Sequence, residues 1–305
     1  MADNYYELRL KINPEMEDLI SEIFFENFDC EGVVLAEETY KDLEMTATTA
    51  GTLRIFLNDN SFEDLKYDIE NILDMSREEF LSRGLTEGDL GTWEFTLEEK
   101  ANEDWSKKWK EQWDVTHVTD KIVVVPDWIE YEPKKNEIII KLEPGCAFGT
   151  GTHQTTQLCM KALEKYMVQG SRVADIGMGS GILSILAKKL GADYVYGCDT
   201  DDTVIDVARE NAIKNNVECK FELGSAKDIH DKFDFVCANI LHFVLAEIMQ
   251  DLKNIMKSGA LMSLSGILDE KKQMVIDAYN AAGLELVEEI QQDQWTSFVV
   301  RNGKA

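Results

Sequence analysis

The stretch Asp175-Ile-Gly177-Met-Gly179-Ser-Gly181 joins one carboxylate to three glycines at alternate positions. Glycines let a backbone turn sharply and approach a ligand at a helix N-terminus. The dinucleotide fingerprint is G-x-G-x-x-G, whereas this stretch reads G-x-G-x-G with an acidic residue two positions before the first glycine. Asp175 would repel phosphates but can accept hydrogen bonds from an ammonium group, which favours a nucleoside carrying an amino acid over a pyrophosphate. Asp199 follows 18 residues after Gly181. A carboxylate there is placed to accept both hydroxyls of a ribose, although the run DTDD at 199–202 also offers it as a helix cap. In Ala238-Asn239-Ile240-Leu241, the Asn239 amide can orient a cofactor's amino-acid part or an incoming nucleophile, or serve as a polar turn.

EPGCAFGTGTHQTT, residues 143–156, has the glycines of a phosphate loop but no Gly-Lys-Ser/Thr ending, and it precedes the nucleotide-binding strand. Its His153 either lies near the reacting group or caps the helix that follows. None of the six cysteines and four histidines stands out as a nucleophile or essential base. With no Cys-x-x-Cys and no nearby paired histidines, no metal site is expected and the thiols read as reduced and buried.

These residues need a frame. From residue 171 onward short apolar strands alternate with helices: SRVADIG, SGILSILAKKLGA, YVYGCD, DTVIDVARENAIKNN, CKFELG, FDFVCANIL, a helix over 243–257, ALMSLSG and EKKQMVIDAYNAAG. Such alternation implies a doubly wound parallel sheet whose ligands bind beyond the carboxyl ends of the strands. ELVEEI and WTSFVVRN, with no helix between them, predict an antiparallel hairpin at one edge. Upstream, the order strand-helix-strand-strand-helix-strand over residues 1–100 predicts a ferredoxin-like split α+β domain. A linker helix over 101–116 carries Trp105, Trp109 and Trp113 on one face, either packed on a neighbouring domain or receiving a substrate cation. KIVVVPDW and NEIIIKLEPG then suggest a hairpin, and 117–305 forms the second domain.

Charge is unevenly shared. Of the net −27, residues 1–104 contribute −20 (28 acidic, 8 basic), which leaves −7 for the remaining 201 residues. Such a field repels nucleic acid and anionic membranes and attracts a basic partner; its plainest alternative role is solubility. No apolar run is long enough to span a bilayer, and MADNYYELRL lacks the features of a secretory signal, so a cytoplasmic location is expected.

Taken together, EPGCAFGTGTHQTT, DIGMGSGILSILAKKLGA, CDTDDTVIDVARENAIKNN, ANIL and LSGIL resemble the bacterial methyltransferases of ribosomal protein L-eleven, the PrmA family. The upstream EDW-x3-WK and the late Trp295 also fit, and the resemblance runs the length of the chain in order. It implies a Rossmann-like class I methyltransferase domain that binds S-adenosylmethionine, behind a ferredoxin-like domain that recognises the substrate. The implied activity is methylation of lysine ε-amines and the N-terminal α-amine of that basic ribosomal protein. Cofactor contacts carry over to Thr156, Gly177, Asp199 and Asn239, with Asp175, Gly179 and Gly181 beside them. The 143–156 stretch would then fold over the cofactor's methionine end, with Thr156 at a helix start. Met178, Gln154 and His242 stand where the family commonly has Cys, Pro and a small residue; His242 is expected to cap the helix after ANIL. Rival readings are a methyltransferase for another protein's lysines or a small amine, and a nicotinamide-dependent oxidoreductase. The G-x-G-x-G spacing and Asp175 count against the latter. ANIL in place of Asn-Pro-Pro-aromatic argues against methylation of nucleic-acid adenine or glutamine amides.

Overall fold

The computed structural model describes residues 5–13, 16–36, 51–57, 62–100, 114–142 and 151–303. Residues 101–113 of the expected linker helix, with Trp105, Trp109 and Trp113, and most of the 143–156 stretch lie outside those residues. Two compact units result, Met1–Trp113 and Asp114–Ala305.

In the first unit, β1 (Tyr5–Ile12), α1 (Glu17–Asn27), β2 (Cys30–Ala36), β3 (Gly51–Leu57), α2 (Phe62–Ser82), a short α3 (Glu87–Leu90) and β4 (Phe95–Lys100) follow in order. The strands form an antiparallel sheet, β2-β3-β1-β4, which is the ferredoxin-like arrangement. Period-two alternation decides the faces of β1: Leu8, Leu10 and Ile12 are buried while Arg9 and Lys11 are exposed. Helix α2 buries Leu65, Ile69, Leu73 and Phe80 and presents Glu63, Asp64, Glu70, Asp74 and Glu78 to solvent. The capping box of Thr86 and Asp89 starts α3, an element the sequence reading did not separate. Glu7 breaks the exposed pattern on β1. It is buried, burial alone would raise its pKa, and Nε–H groups of Arg54 and Arg9, each 2.8 Å away, hold it below the ordinary value.

The second unit begins with β5 (Thr116–His117), β6 (Ile122–Pro126) and β7 (Ile138–Leu142), in the order β5-β6-β7. Here the expected hairpin is corrected: β6 and β7 run parallel, Ile122 opposite Ile138. The 127–137 connection is long enough to carry the chain back to the starting end, as a two-residue hairpin turn could not. Helix α4 (Gln154–Tyr166) leads into β8 (Arg172–Ile176), α5 (Ile182–Lys189), β9 (Tyr194–Asp199), α6 (Thr203–Lys214), β10 (Lys220–Leu223), β11 (Phe233–Asn239), α7 (His242–Asn254), β12 (Met256–Leu268), α8 (Lys272–Ala281), β13 (Leu284–Gln292) and β14 (Trp295–Asn302). Seven strands lie in the order β10-β9-β8-β11-β12-β14-β13. Strands β8 to β12 are mutually parallel, and β14 runs antiparallel between β12 and the edge strand β13, as the helix-free ending predicts. One side of the sheet buries Leu183, Ile185 and Leu186 of α5 with Ala208 of α6; the other buries Leu245 and Met249 of α7 with Val275 and Tyr279 of α8. The strand order reverses between β8 and β11, which opens a crevice at their carboxyl ends.

Candidate functional site

At that switch point β8 ends and the chain turns through Gly177, Gly179 and Gly181 with φ of +69°, +49° and +77°. Positive φ favours glycine here, and Gly177 meets a second constraint. A Cβ at Gly177 would lie 2.2 Å from Ile240 Cγ2, and one at Gly266 would lie 2.3 Å from the Ile240 carbonyl oxygen. Ile240 is thus held between the glycine turn and β12, and this contact sets the ANIL segment against the turn. Gly177 N–H donates to the Cys198 carbonyl at 2.9 Å, and Gly179 N–H donates to Asp199 Oδ2 at 2.9 Å. The tip of β9 therefore braces the turn.

Asp199 also accepts from Asp201 N–H at 3.2 Å. It is not the cap of α6: Asp201 accepts from the Thr203 N–H and hydroxyl, each at 2.8 Å. Burial raises the Asp199 pKa, opposed by the backbone N–H donors around it. Asp175 is almost wholly buried; its Oδ2 accepts from Ser184 N–H at 3.0 Å and Ser184 Oγ–H at 2.7 Å. Ser184 lies in the first turn of α5, whose N-cap is Gly181. With no side chain at the N-cap, Asp175 does the capping from the neighbouring strand. Burial pushes its carboxyl up to about 7, against those two bonds and with the nearby Asp199 adding to the rise.

Asn239 closes β11, and its Nδ2 donates to Thr156 Oγ1 at 3.3 Å. The fold thus joins two side chains separated by 83 positions. Among the described residues, Asn239 Oδ1 and Asp175 Oδ1 are buried acceptors without a hydrogen-bond partner. Of its two expected roles, His153 takes the cap: it is the N-cap of α4, and its Nδ1 accepts from Thr155 N–H at 3.3 Å. Its ring stands edge-on to Trp295, centroids 5.0 Å apart, and burial lowers its pKa to about 4. The imidazole is therefore neutral near pH 7. His242 does not cap α7; the N-cap is Leu241, and His242 is the buried first residue of the helix. Met178 is buried among the core residues on the α5 side of the sheet, and Gln154 Nε2 donates to Asp293 Oδ2 at 3.2 Å, a bond a proline could not make. Burial raises the thiols of Cys159, Cys198 and Cys219 to about 12 and Cys237 well above the ordinary value, so none is a thiolate near neutrality.

Some parts of this frame had a weaker signal in the sequence. Gly266 lay in LSGIL, but its partner Ile240 emerges only from sheet pairing. Asn211 donates to the Ser180 carbonyl at 3.0 Å, and its signal is a polar residue among the buried positions of α6.

A family model described as ribosomal protein L11 methyltransferase (PrmA) matches residues 4–303. The chain is 34% identical over 320 aligned residues to the ribosomal protein L11 methyltransferase of Clostridium perfringens, with 99% of each chain covered. To the protein of that name from Dictyoglomus turgidum it is 33% identical over 303 residues, covering 98% of this chain and 99% of the relative. The crystal structure of ribosomal protein L11 methylase from Lactobacillus delbrueckii subsp. bulgaricus aligns with a TM-score of 0.59 and 32% identity, covering 63% of this chain and 100% of that one. With matches along nearly its whole length, on a sheet whose switch point carries the glycine turn, this chain belongs to the ribosomal protein L11 methyltransferase (PrmA) family of S-adenosylmethionine-dependent protein methyltransferases.

Proposed function

We propose that the chain methylates lysine ε-amines and the N-terminal α-amine of ribosomal protein L11, with S-adenosylmethionine held at the β8–β11 switch point. The observation that carries this reading is the convergence of Thr156, Gly177, Asp199 and Asn239 at the carboxyl ends of β8, β9 and β11. The donors and acceptors present suit such a ligand. Asp199 has lone pairs left for ribose hydroxyls after accepting from Gly179. The unpartnered Asn239 Oδ1 and Asp175 Oδ1 are acceptors matched to an ammonium. When bound, S-adenosylmethionine supplies a methyl group on a sulfonium.

The chain's own residues then have one task, to hold a neutral amine in line and dry. A lysine amine has a pKa of roughly 10.4 and an α-amine roughly 8, so the site must favour the uncharged form by desolvation. No general base is needed among the described side chains. His153 spends Nδ1 on its helix cap, and the buried thiols stay protonated. Asn239 Oδ1 is the acceptor that can orient an amine N–H, while orientation itself supplies several kcal/mol. The acidic unit recognises the basic substrate. Its net of −20 over residues 1–104 and the seven exposed carboxylates of α2 complement a lysine-rich protein.

Replacing Asp199 with Ala tests the cofactor assignment. Calorimetric titration should show S-adenosylmethionine bound at least tenfold more weakly than by the wild type. Unchanged affinity would remove Asp199 from the ribose.

A further inference from the structure

Helix α6 contributes two buried asparagines that take no part in the roles above. Asn211, 2% exposed, donates through Nδ2 to the Ser180 carbonyl at 3.0 Å. One turn later Asn215, 5% exposed, donates through Nδ2 to the Lys141 carbonyl at 2.6 Å and the Asn211 carbonyl at 2.8 Å. Its Oδ1 accepts from Lys141 N–H at 2.9 Å. Lys141 lies on β7, the edge of the three-stranded sheet, paired on one side only. In a parallel ladder alternate residues turn both polar groups to the same side. The Asn215 carboxamide meets the outward pair of Lys141 as a neighbouring strand would.

Asn211 acts on a single peptide plane. The Ser180 carbonyl and the Gly181 N–H share that plane, and Gly181 N–H donates to the Met178 carbonyl at 2.9 Å. Fixing the carbonyl therefore fixes the entry into α5 and the direction of the turn that Asp199 braces. Packing reinforces the same joint. A Cβ at Gly181 would lie 3.1 Å from Ala208 Cβ on α6, and one at Gly151 would lie 2.9 Å from both Ile182 Cδ1 and Val124 Cγ2.

We propose that Asn211 and Asn215 form a two-point clamp that positions the glycine turn relative to β7 for S-adenosylmethionine, an inference that rests on the cofactor reading above. Both are positioning residues. Without the Asn211 donor a buried carbonyl loses its partner and the turn relaxes away from the geometry the ligand needs.

The test is calorimetric titration of the full-length chain with S-adenosylmethionine, beside ligand-free thermal unfolding. Asn211→Asp keeps the size of the side chain but replaces the donor with a carboxylate facing the Ser180 carbonyl. Asn215→Asp keeps the acceptor for Lys141 N–H and loses both donations. The expected result is a Kd at least tenfold weaker for Asn211→Asp and a smaller loss for Asn215→Asp, with binding stoichiometry unchanged. Damage confined to folding would lower the stoichiometry and leave Kd alone. Should Asn211→Asp fail to fold, Asn211→Ser is read by the same criterion. A folded variant with wild-type Kd overturns the clamp. A wild type that does not bind S-adenosylmethionine overturns the cofactor reading, and the clamp with it.

Discussion

Asp175 and His153 are buried in opposite electrical senses, and each leaves its own mark on stability against pH. The Asp175 carboxyl rises from 3.8 to about 7, so between those values the folded protein holds a proton that the unfolded chain has released. Stability is therefore lost as pH rises through that interval, by on the order of a few kcal/mol. Asp175→Asn abolishes this titration. Thermal unfolding of the two proteins should show the variant gaining on the wild type as pH climbs toward 7; parallel curves would mean the carboxyl is not strained by burial. His153 falls from 6.5 to about 4, so it opposes folding as pH drops through that range. His153→Asn keeps an N-cap acceptor without the titration and should flatten the acid limb. The cap itself was one of the two roles legible for His153 in the sequence. The role of Asp175 was not, because capping α5 from β8 depends on a contact with Ser184 that only the folded turn creates.

At the scale of elements, Ile240 ties β11 to the glycine turn and to β12. Gly266→Ala would drive a Cβ into backbone at a positive φ of +84°, whereas Gly177→Ala meets the Ile240 side-chain methyl at φ +69°. Gly266→Ala should therefore cost the larger drop in melting temperature, and Gly177→Ala the larger relative loss of S-adenosylmethionine affinity; the reverse order would displace Ile240 from this role. Strand-helix alternation made the seven-stranded sheet legible, including its antiparallel ending. The β6–β7 pair was misread because apolar runs fix neither direction nor partner. Its parallel direction rests on the 127–137 connection, long enough to return the chain to the starting end. His242 was likewise misplaced by one position: it is the first residue of the helix, and the N-cap, Leu241, makes no side-chain cap bond.

At the scale of the whole molecule, the negative charge is concentrated in residues 1–104. The −20 carried by residues 1–104 suits capture of a basic protein, while the second unit carries the glycine turn with Asp199 and Asn239. Raised salt should slow methylation of the protein substrate by screening this field, with cofactor affinity much less affected. Salt-insensitive turnover would deprive the charge of that role. Deleting residues 1–100 should spare S-adenosylmethionine binding in calorimetry and abolish protein methylation, whereas a truncated chain that still methylates would assign recognition elsewhere. The most direct measurement is mass spectrometry of purified ribosomal protein L11 after incubation with the full chain and isotopically labelled S-adenosylmethionine. The expected result is labelled methyl groups on lysine side chains and on the N-terminal amine, and none when Asp199→Ala replaces the wild type at low cofactor concentration. An unlabelled L11, or label confined to other residue types, would contradict the proposed function.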